Sequence, residues 1–83
     1  MYHVYTIKSI NRNYIYVGIT GNLEKRIKRH NAGKNKTTKP YCPFALIAVE
    51  NYNTRIKARE REKYLKSGCG KEYLKKEYNL GEW

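Results

Sequence analysis

Glu62 is the side chain whose position first suggests chemistry. On a helical wheel it falls in the middle of an apolar face of a predicted helix. That face is formed by Ala58, Leu65 and Cys69. A carboxylate in such a place is costly unless it meets a metal ion or a basic side chain. The spacing leaves three interpretations: a ligand for a cation, an i,i+4 ion pair with Lys66, or a side chain that reaches water at the rim of the apolar stripe.

Arg26 and His30 are a second pair of candidates, because they are four positions apart and share one face of a helix. This face borders the apolar stripe of Leu23 and Ile27, so both side chains should lie near the core. A partly buried arginine can hold a phosphate with its forked guanidinium. Considered alone, Arg26 could equally be an ordinary surface cation of a basic helix. His30 could equally be a histidine at the C-terminal end of a helix that interacts with the negative end of the helix dipole.

Tyr5 and Tyr16 complete the set of candidate reactive side chains. Each lies in a run of β-branched and aromatic residues typical of strands, and the two runs should form a hairpin. The two tyrosines could therefore pair across adjacent strands, which alone is an ordinary aromatic contact. The chain has nine tyrosines, and a surface rich in Tyr and Lys suits phosphate contacts and base stacking.

The charge balance indicates the kind of partner. The 83 residues carry 18 Lys and Arg against 7 Asp and Glu, a net charge of +11 that points to a polyanion such as nucleic acid. An anionic membrane is the weaker alternative, since no apolar anchor, lipidation site or bilayer-length run is visible. No signal peptide is recognisable, and Cys42 and Cys69 do not form a zinc pattern. We therefore expect a cytoplasmic protein with reduced thiols.

The elements that must position these side chains follow from turn residues and apolar periodicity. The first part of the chain predicts strands at 2–8 and 14–19, then a helix that begins after Thr20 or Asn22 and ends at Asn31 to Gly33. A loop at 33–43 and a strand at 44–50 follow. Two helices come last, one at 55–67 capped by Asn53 or Thr54 and one at 71–78, and Gly68 and Gly70 separate them. The strand at 44–50 is continuously apolar, which favours burial on both faces. The expected fold is a single α+β domain over residues 1–83, a small three-stranded antiparallel sheet flanked by helices in the order β-β-α-β-α-α.

The tyrosines stand in two short motifs of the predicted hairpin. These motifs read His3-Val4-Tyr5 and Tyr16-Val17-Gly18, with ten residues between the two tyrosines. The helices add the stretches TGNLEKRIKRHN, with Arg26 and His30, and KAREREKYLK, with Glu62. In this order and in matching elements, the set resembles the GIY-YIG nuclease family over residues 2–77. The resemblance is greatest to the short stand-alone branch related to the UvrC N-terminal endonuclease domain.

The resemblance implies hydrolysis of phosphodiester bonds in DNA with one divalent ion, Mg²⁺ or Mn²⁺. Glu62 would hold this ion, a hard cation that prefers oxygen ligands, and Arg26 would hold the phosphate. Tyr5 would activate the attacking water, and Tyr16 would orient the water or a phosphate oxygen. His30 would hydrogen-bond Tyr5 or assist proton transfer.

Two positions depart from the family pattern. His3 stands where the first motif usually begins with Gly, and Ile19 stands where the DNA-repair branch carries a lysine that assists the tyrosine. A basic neighbour for Tyr5 must therefore come from elsewhere in the chain. Gly18 matches the glycine of the second motif, which would allow close approach of the backbone at the site.

Exposed basic side chains would bind DNA, branched or duplex, through its phosphates and with low sequence specificity. The candidates are Lys25, Lys28, Arg29, Lys34, Lys36, Lys39, Arg59 and Lys63. The resemblance implies a role in DNA repair or recombination, and a protein partner could supply specificity. Two alternatives stay open: a non-catalytic nucleic-acid-binding module with the same fold, and a basic module that binds an acidic protein.

Overall fold

The computed structural model describes residues 1–80 and contains a three-stranded antiparallel sheet. The strands are β1 (Tyr2–Ser9), β2 (Ile15–Thr20) and β3 (Phe44–Tyr52), in the spatial order β2-β1-β3. β1 and β2 form the predicted hairpin through the polar turn at residues 10–14, and β3 pairs with the other edge of β1. The α+β class and the order of the elements confirm the prediction from sequence.

Within residues 1–80, three helices flank the sheet, and each begins at a polar side chain that caps it. They are α1 (Leu23–Asn31), α2 (Arg55–Lys66) and α3 (Gly68–Glu77), with a single 3-10 turn at Lys39–Tyr41 before β3. The caps are Asn22, Thr54 and Ser67, whose side-chain oxygens accept backbone N–H groups at 3.1, 3.3 and 3.1 Å. Asn22 and Thr54 are in each case one of the two caps that the sequence offered.

α3 begins earlier than predicted. The sequence predicts a break at Gly68 and Gly70 and a helix only from residue 71, whereas α3 starts at Gly68. Gly70 is buried where α3 meets the end of α2, and a Cβ there would lie 2.5 Å from Cα of Leu65. The glycine therefore allows the two helices to approach closely, which local helix propensity does not reveal. Cys69 consequently lies exposed on α3 and does not extend the buried face of α2.

β3 is an edge strand, and its predicted burial on both faces is wrong. Leu46 is 46% exposed and Ala45 is exposed beside it, whereas Phe44 is buried. The register with β1 skips Ile47, so a bulge interrupts the alternation of side chains. A continuous apolar run predicts a strand but not its place in a sheet, and α2 lies mainly over β1 and β2.

Apolar side chains pack on both faces of the sheet. On one face, α2 and α3 cover a cluster formed by Val4, Ile15, Val17, Ala58, Leu65 and Leu74. On the other face, α1 and the 3-10 turn cover a cluster formed by Tyr5, Ile7 and Phe44, against which Tyr14, Tyr16, Leu23, Ile27 and Tyr41 pack. The predicted alternation in β2 is thus confirmed, with aliphatic residues on one face and tyrosines on the α1 side. Across residues 1–80, no helix has the length and apolar character needed to cross a membrane.

Candidate active site

Tyr5 and His30 form a buried hydrogen-bonded pair on the α1 side of the sheet. Tyr5 lies in the middle of the central strand and His30 in the last turn of α1. The two residues are 1% and 0% exposed, and the Tyr5 hydroxyl oxygen lies 2.8 Å from His30 Nε2. The end of α1 therefore brings an imidazole to the phenol of the first hairpin motif.

Gly18 leaves room for the Tyr5 ring. The two residues face each other in the pairing of β1 with β2, whereas Tyr16 is opposite Ile7. A Cβ built on Gly18 would collide with the Tyr5 hydroxyl and lie 2.9 Å from its Cε1 atom. A side chain at this position would have to displace the phenol. Tyr5 and Tyr16 are diagonal neighbours and not directly opposite each other.

Tyr16 is the half-buried member of a cluster of three rings. Its ring centroid lies 6.3 Å from that of Tyr5 and 5.0 Å from that of His30. The rings of Tyr5 and His30 are themselves 5.7 Å apart. Because Tyr16 is partly exposed and the other two are not, it connects the buried pair to the molecular surface.

The charges around Tyr5 come from two different helices. Burial raises the pKa of Tyr5 well above its usual range, and Tyr16 adds to that rise. The Arg26 guanidinium of α1 works to lower the same pKa, whereas the Glu62 carboxylate of α2 raises it further. Burial also lowers the pKa of His30, together with the arginines of α1. At neutral pH the pair is therefore a phenol beside a neutral imidazole.

Glu62 lies on the buried face of α2, as the helical wheel predicts, and is 8% exposed. Its carboxylate oxygens lie 3.3 Å from Lys66 Nζ and 3.8 Å from Arg59 Nε. The ion pair with Lys66 that the spacing allowed is therefore present. Lys66 Nζ also lies 5.6 Å from the centroid of the Tyr16 ring, which links Glu62 to the tyrosine cluster.

The donor set at Glu62 fits a hard divalent cation. Within residues 1–80, no three His, Cys, Asp or Glu side chains gather to form a metal site on their own. A single carboxylate suits Mg²⁺ or Mn²⁺, because such ions prefer oxygen ligands and complete their coordination with waters and substrate phosphates. Binding one would require Glu62 to exchange its contact with Lys66 for the ion.

A basic cleft opens beside Arg26 along the first turns of α1. It has a volume of about 530 Å³ and is lined by Thr20, Gly21, Asn22, Lys25, Arg26 and Arg29. Of these lining residues, three are cationic and none is acidic. The cleft therefore suits a phosphate group, since a guanidinium can donate hydrogen bonds to two phosphate oxygens at once.

The other basic candidates lie elsewhere on the surface. Lys28 forms an exposed ion pair with Glu24 at 3.4 Å and does not line the cleft. Three more lysines are exposed in the segment between α1 and β3, at positions 34, 36 and 39. Arg59 and Lys63 are exposed on α2. The structure thus places Lys25 and Arg29 in the cleft with Arg26, whereas the other candidate cations do not line it.

Thr38 is a residue of the site that sequence reasoning missed. It is 0% exposed, and its hydroxyl oxygen lies 2.8 Å from His30 Nδ1. No rule of spacing singles out a threonine in a polar loop, because its partner belongs to the preceding helix. Lys66 is a similar case: its pairing with Glu62 is predictable, but its position over Tyr16 is not.

The fold is that of a small nuclease domain. The family model described as the GIY-YIG catalytic domain matches residues 1–79, so the chain belongs to that family. Proteins of this family are endonucleases whose substrate is DNA, and they generally use divalent metal ions.

The chain is also similar to curated proteins of the UPF0213 group. The chain is 38% identical to the UPF0213 protein YazA of Bacillus subtilis (strain 168) over 65 residues, which cover 77% of this chain and 66% of YazA. It is 37% identical to the UPF0213 protein SH2523 of Staphylococcus haemolyticus over 75 residues, 89% of this chain and 90% of the relative. It is 40% identical to the UPF0213 protein CPE1444 of Clostridium perfringens over 67 residues, 80% and 71% of the two chains. No solved structure matches.

Proposed function

We propose that this chain is a metal-dependent endonuclease that hydrolyses phosphodiester bonds in DNA. The observation that carries the proposal is the environment of one phenol. Tyr5 is hydrogen-bonded to His30, and its pKa responds to both Arg26 and Glu62. The phenol thus has a potential base as its hydrogen-bond partner and responds to the charges of a phosphate-binding cation and of a carboxylate, which supports in-line hydrolysis of a phosphodiester. Membership of an endonuclease family supports the same reaction.

Tyr5 and His30 would act as one unit in activating water. Burial raises the pKa of Tyr5, so the phenol stays protonated at neutral pH. Tyr5 therefore donates its proton to His30 and at the same time accepts a proton from the attacking water. Neutral imidazole is the form that can accept this proton, and burial keeps His30 neutral. Tyr16, at the exposed side of the cluster, orients the water or a phosphate oxygen. Gly18 keeps free the space that the phenol occupies.

Arg26 would bind the scissile phosphate from the cleft side. Its guanidinium offsets the negative charge that builds on the phosphate oxygens as the bond breaks. It is also the basic neighbour of Tyr5 that the sequence lacks at Ile19, since its charge lowers the pKa of the phenol. One residue then serves both substrate binding and activation of the base.

Glu62 would hold the single divalent ion, Mg²⁺ or Mn²⁺, through its carboxylate. When bound, the ion supplies positive charge that neutralises the phosphate and stabilises the leaving oxygen. Lys66 and Arg59 neutralise the buried carboxylate before the ion arrives, so its burial is tolerated in the free protein.

DNA would be bound mainly along the basic cleft, where Lys25 and Arg29 contact phosphates next to the one held by Arg26. The other exposed cations add long-range attraction: Lys28, Lys34, Lys36, Lys39, Arg59 and Lys63. A single domain over residues 1–83 has little area for reading bases, so branched or duplex DNA would be cut with low sequence specificity. A partner protein would then choose the target, in repair or recombination in the cytoplasm.

A non-catalytic DNA-binding module is the second candidate. The observation that favours it is the contact of Glu62 with two cations, Lys66 and Arg59, which occupy the place where a metal ion would be held. If these ion pairs persist on DNA, the basic surface binds without cleaving.

Glu62→Ala, compared with Glu60→Ala, separates the two candidates. Both remove one negative charge from α2, but Glu60 is exposed on another face of the helix. Plasmid and branched DNA are incubated with each protein in Mg²⁺, in Mn²⁺ or in a chelator. For a nuclease, Glu62→Ala lowers cleavage by more than about 100-fold and retains binding, whereas Glu60→Ala matches the wild type. A wild-type protein that binds these substrates but cuts none of them contradicts the nuclease proposal.

A further inference from the structure

His30 is held from both sides, by Tyr5 at Nε2 and by Thr38 at Nδ1. Thr38 is fully buried in the segment between α1 and β3, and its hydroxyl oxygen lies 2.8 Å from Nδ1. We infer that Thr38 is a positioning residue that holds His30 in the Nδ1–H tautomer, so that Nε2 is free to accept the Tyr5 proton. This role rests on the proposed function and extends it to a residue outside the tyrosine, arginine and glutamate set.

Counting protons distinguishes the two neutral tautomers of His30. With the proton on Nδ1, Tyr5 donates to Nε2, and Nδ1–H donates to the Thr38 hydroxyl oxygen. The Thr38 hydroxyl then donates to the Asn35 carbonyl oxygen at 3.5 Å. Each of the three hydrogens has an acceptor in this arrangement.

The opposite tautomer leaves one hydrogen without an acceptor. With the proton on Nε2, the Thr38 hydroxyl would donate to Nδ1 and Nε2–H would donate to the Tyr5 oxygen. In the part of the chain that the structure describes, the Tyr5 hydroxyl makes its one hydrogen bond to His30, so in the free protein, before DNA and the attacking water bind, its own hydrogen would have no protein acceptor. A buried hydroxyl without an acceptor is costly, and this cost selects the Nδ1–H tautomer.

The backbone around Thr38 is fixed independently of His30. The Asn35 carbonyl oxygen accepts the N–H groups of Thr38 and Lys39, at 3.2 and 2.8 Å. The Asn35 side chain in turn accepts the N–H of Thr37 at 3.1 Å. These bonds make a tight turn that fixes the backbone of Thr38 beside His30.

The tautomer decides whether water can be activated. In the attack step, a proton moves from water to the Tyr5 oxygen as the Tyr5 proton moves to His30 Nε2, and the hydroxide formed adds to phosphorus. The bond from phosphorus to the leaving oxygen breaks, and that oxygen takes a proton from solvent. The imidazolium then releases its extra proton to solvent, so the count of protons closes. With Nε2 already protonated, the first transfer has no acceptor.

Imidazole ¹⁵N spectra of the intact protein test the tautomer without any need for cleavage. The chain has two histidines, so the His3→Gln variant assigns the signals of His30. We expect the wild type to show a protonated Nδ1 and an unprotonated Nε2. In Thr38→Val, which keeps the shape of threonine without its hydroxyl, this signature is lost. Thr38→Ser restores it, and Thr37→Val, a change at the exposed neighbour, leaves it intact.

Cleavage of DNA supplies the second readout. In Thr38→Val, kcat falls by about 10- to 100-fold with KM unchanged within about twofold, since general base catalysis is impaired and not DNA binding. Thr38→Ser stays within about threefold of the wild type. If Thr38→Val does not fold, the ¹⁵N spectra of the wild type and of Thr38→Ser still test the tautomer assignment.

Two results would overturn the assignment: a wild-type protein with the proton on Nε2, or a Thr38→Val protein that keeps the wild-type ¹⁵N signature. A wild-type protein that shows the expected tautomer but cleaves no DNA contradicts the nuclease proposal instead. The failure of one proposal is therefore distinguishable from the failure of the other.

Discussion

The phenol ring of Tyr5 fills the space in which a side chain on Gly18 would lie. The two residues face each other in the hairpin, and the same phenol is hydrogen-bonded to His30. The glycine of the second motif is therefore coupled to the tyrosine of the first by contact and not by sequence. Any change at Gly18 moves the hydroxyl on which the proposed chemistry depends.

Gly18→Ala should destabilise the protein and displace Tyr5. The added methyl group collides with a buried ring held between a strand and a helix, and such overpacking costs about 1–3 kcal/mol of unfolding free energy. Urea unfolding followed by circular dichroism measures this loss. Gly68→Ala is the control, because a Cβ at Gly68 meets no atom within 4 Å. A Gly18→Ala protein as stable as the control would contradict the close contact.

Lys66→Met should tighten binding of Mg²⁺ or Mn²⁺ to the free protein. Lys66 lies 3.3 Å from a Glu62 oxygen and competes with the ion for the carboxylate. An ion pair of this kind contributes about 0.2–1 kcal/mol, so its loss corresponds to about a one-and-a-half- to fivefold gain in affinity. Isothermal titration calorimetry measures the change. Lys57→Met, an exposed change of the same charge on α2, should have no effect, and equal affinities for both variants would refute the competition.

Lys25→Ala and Arg29→Ala should weaken DNA binding more than Lys28→Ala. All three changes remove one positive charge from α1, so long-range attraction falls equally. Only the first two side chains line the basic cleft, whereas Lys28 pairs with Glu24. The salt dependence of duplex affinity should lose about 0.9 from its slope for each phosphate contact removed. Fluorescence anisotropy over a salt series measures it, and equal losses for all three would show that the cleft is not a distinct site.

Glu50→Gln should remove part of the acid sensitivity of the fold. Burial works to raise the pKa of Glu50, but hydrogen bonds from Arg61 and Tyr52 outweigh it and hold that pKa below its usual value. The stabilisation is therefore fully present above the ordinary value near 4.5 and is lost as pH falls below it. At pH 7 the variant should lose about 1–3 kcal/mol of unfolding free energy, because a hydrogen-bonded charge is removed.

The measurement for Glu50 is chemical denaturation between pH 3 and pH 7. The wild type should lose stability steeply at the acid end, and Glu50→Gln should show a shallower slope. Glu60→Gln is the matched control, since Glu60 is exposed on the neighbouring helix. Parallel curves for the wild type and Glu50→Gln would contradict the shifted pKa.

The sequence by itself predicted the type and order of the strands and helices, and it marked Glu62 as an unusual carboxylate on an apolar helix face. Alternation in β2 assigns aliphatic residues and tyrosines to opposite faces, and caps such as Asn22 and Thr54 mark the helix starts. Glu62 stands out because the 3.6-residue period of a helix makes a misplaced carboxylate visible without coordinates. These features depend on neighbours within one or two turns, which the sequence displays directly.

Only the tertiary structure decided what these residues touch. Thr38 behind His30, Tyr5 against Gly18 and Lys66 over Tyr16 are contacts between elements, and no periodic rule orders them. The early start of α3 and the exposure of β3 also depend on contacts between elements. The start of α3 depends on how closely Gly70 approaches α2, and the exposure of β3 depends on where that strand joins the sheet. Side chains far apart in sequence meet only after the chain has packed, and packing is a property of the whole chain.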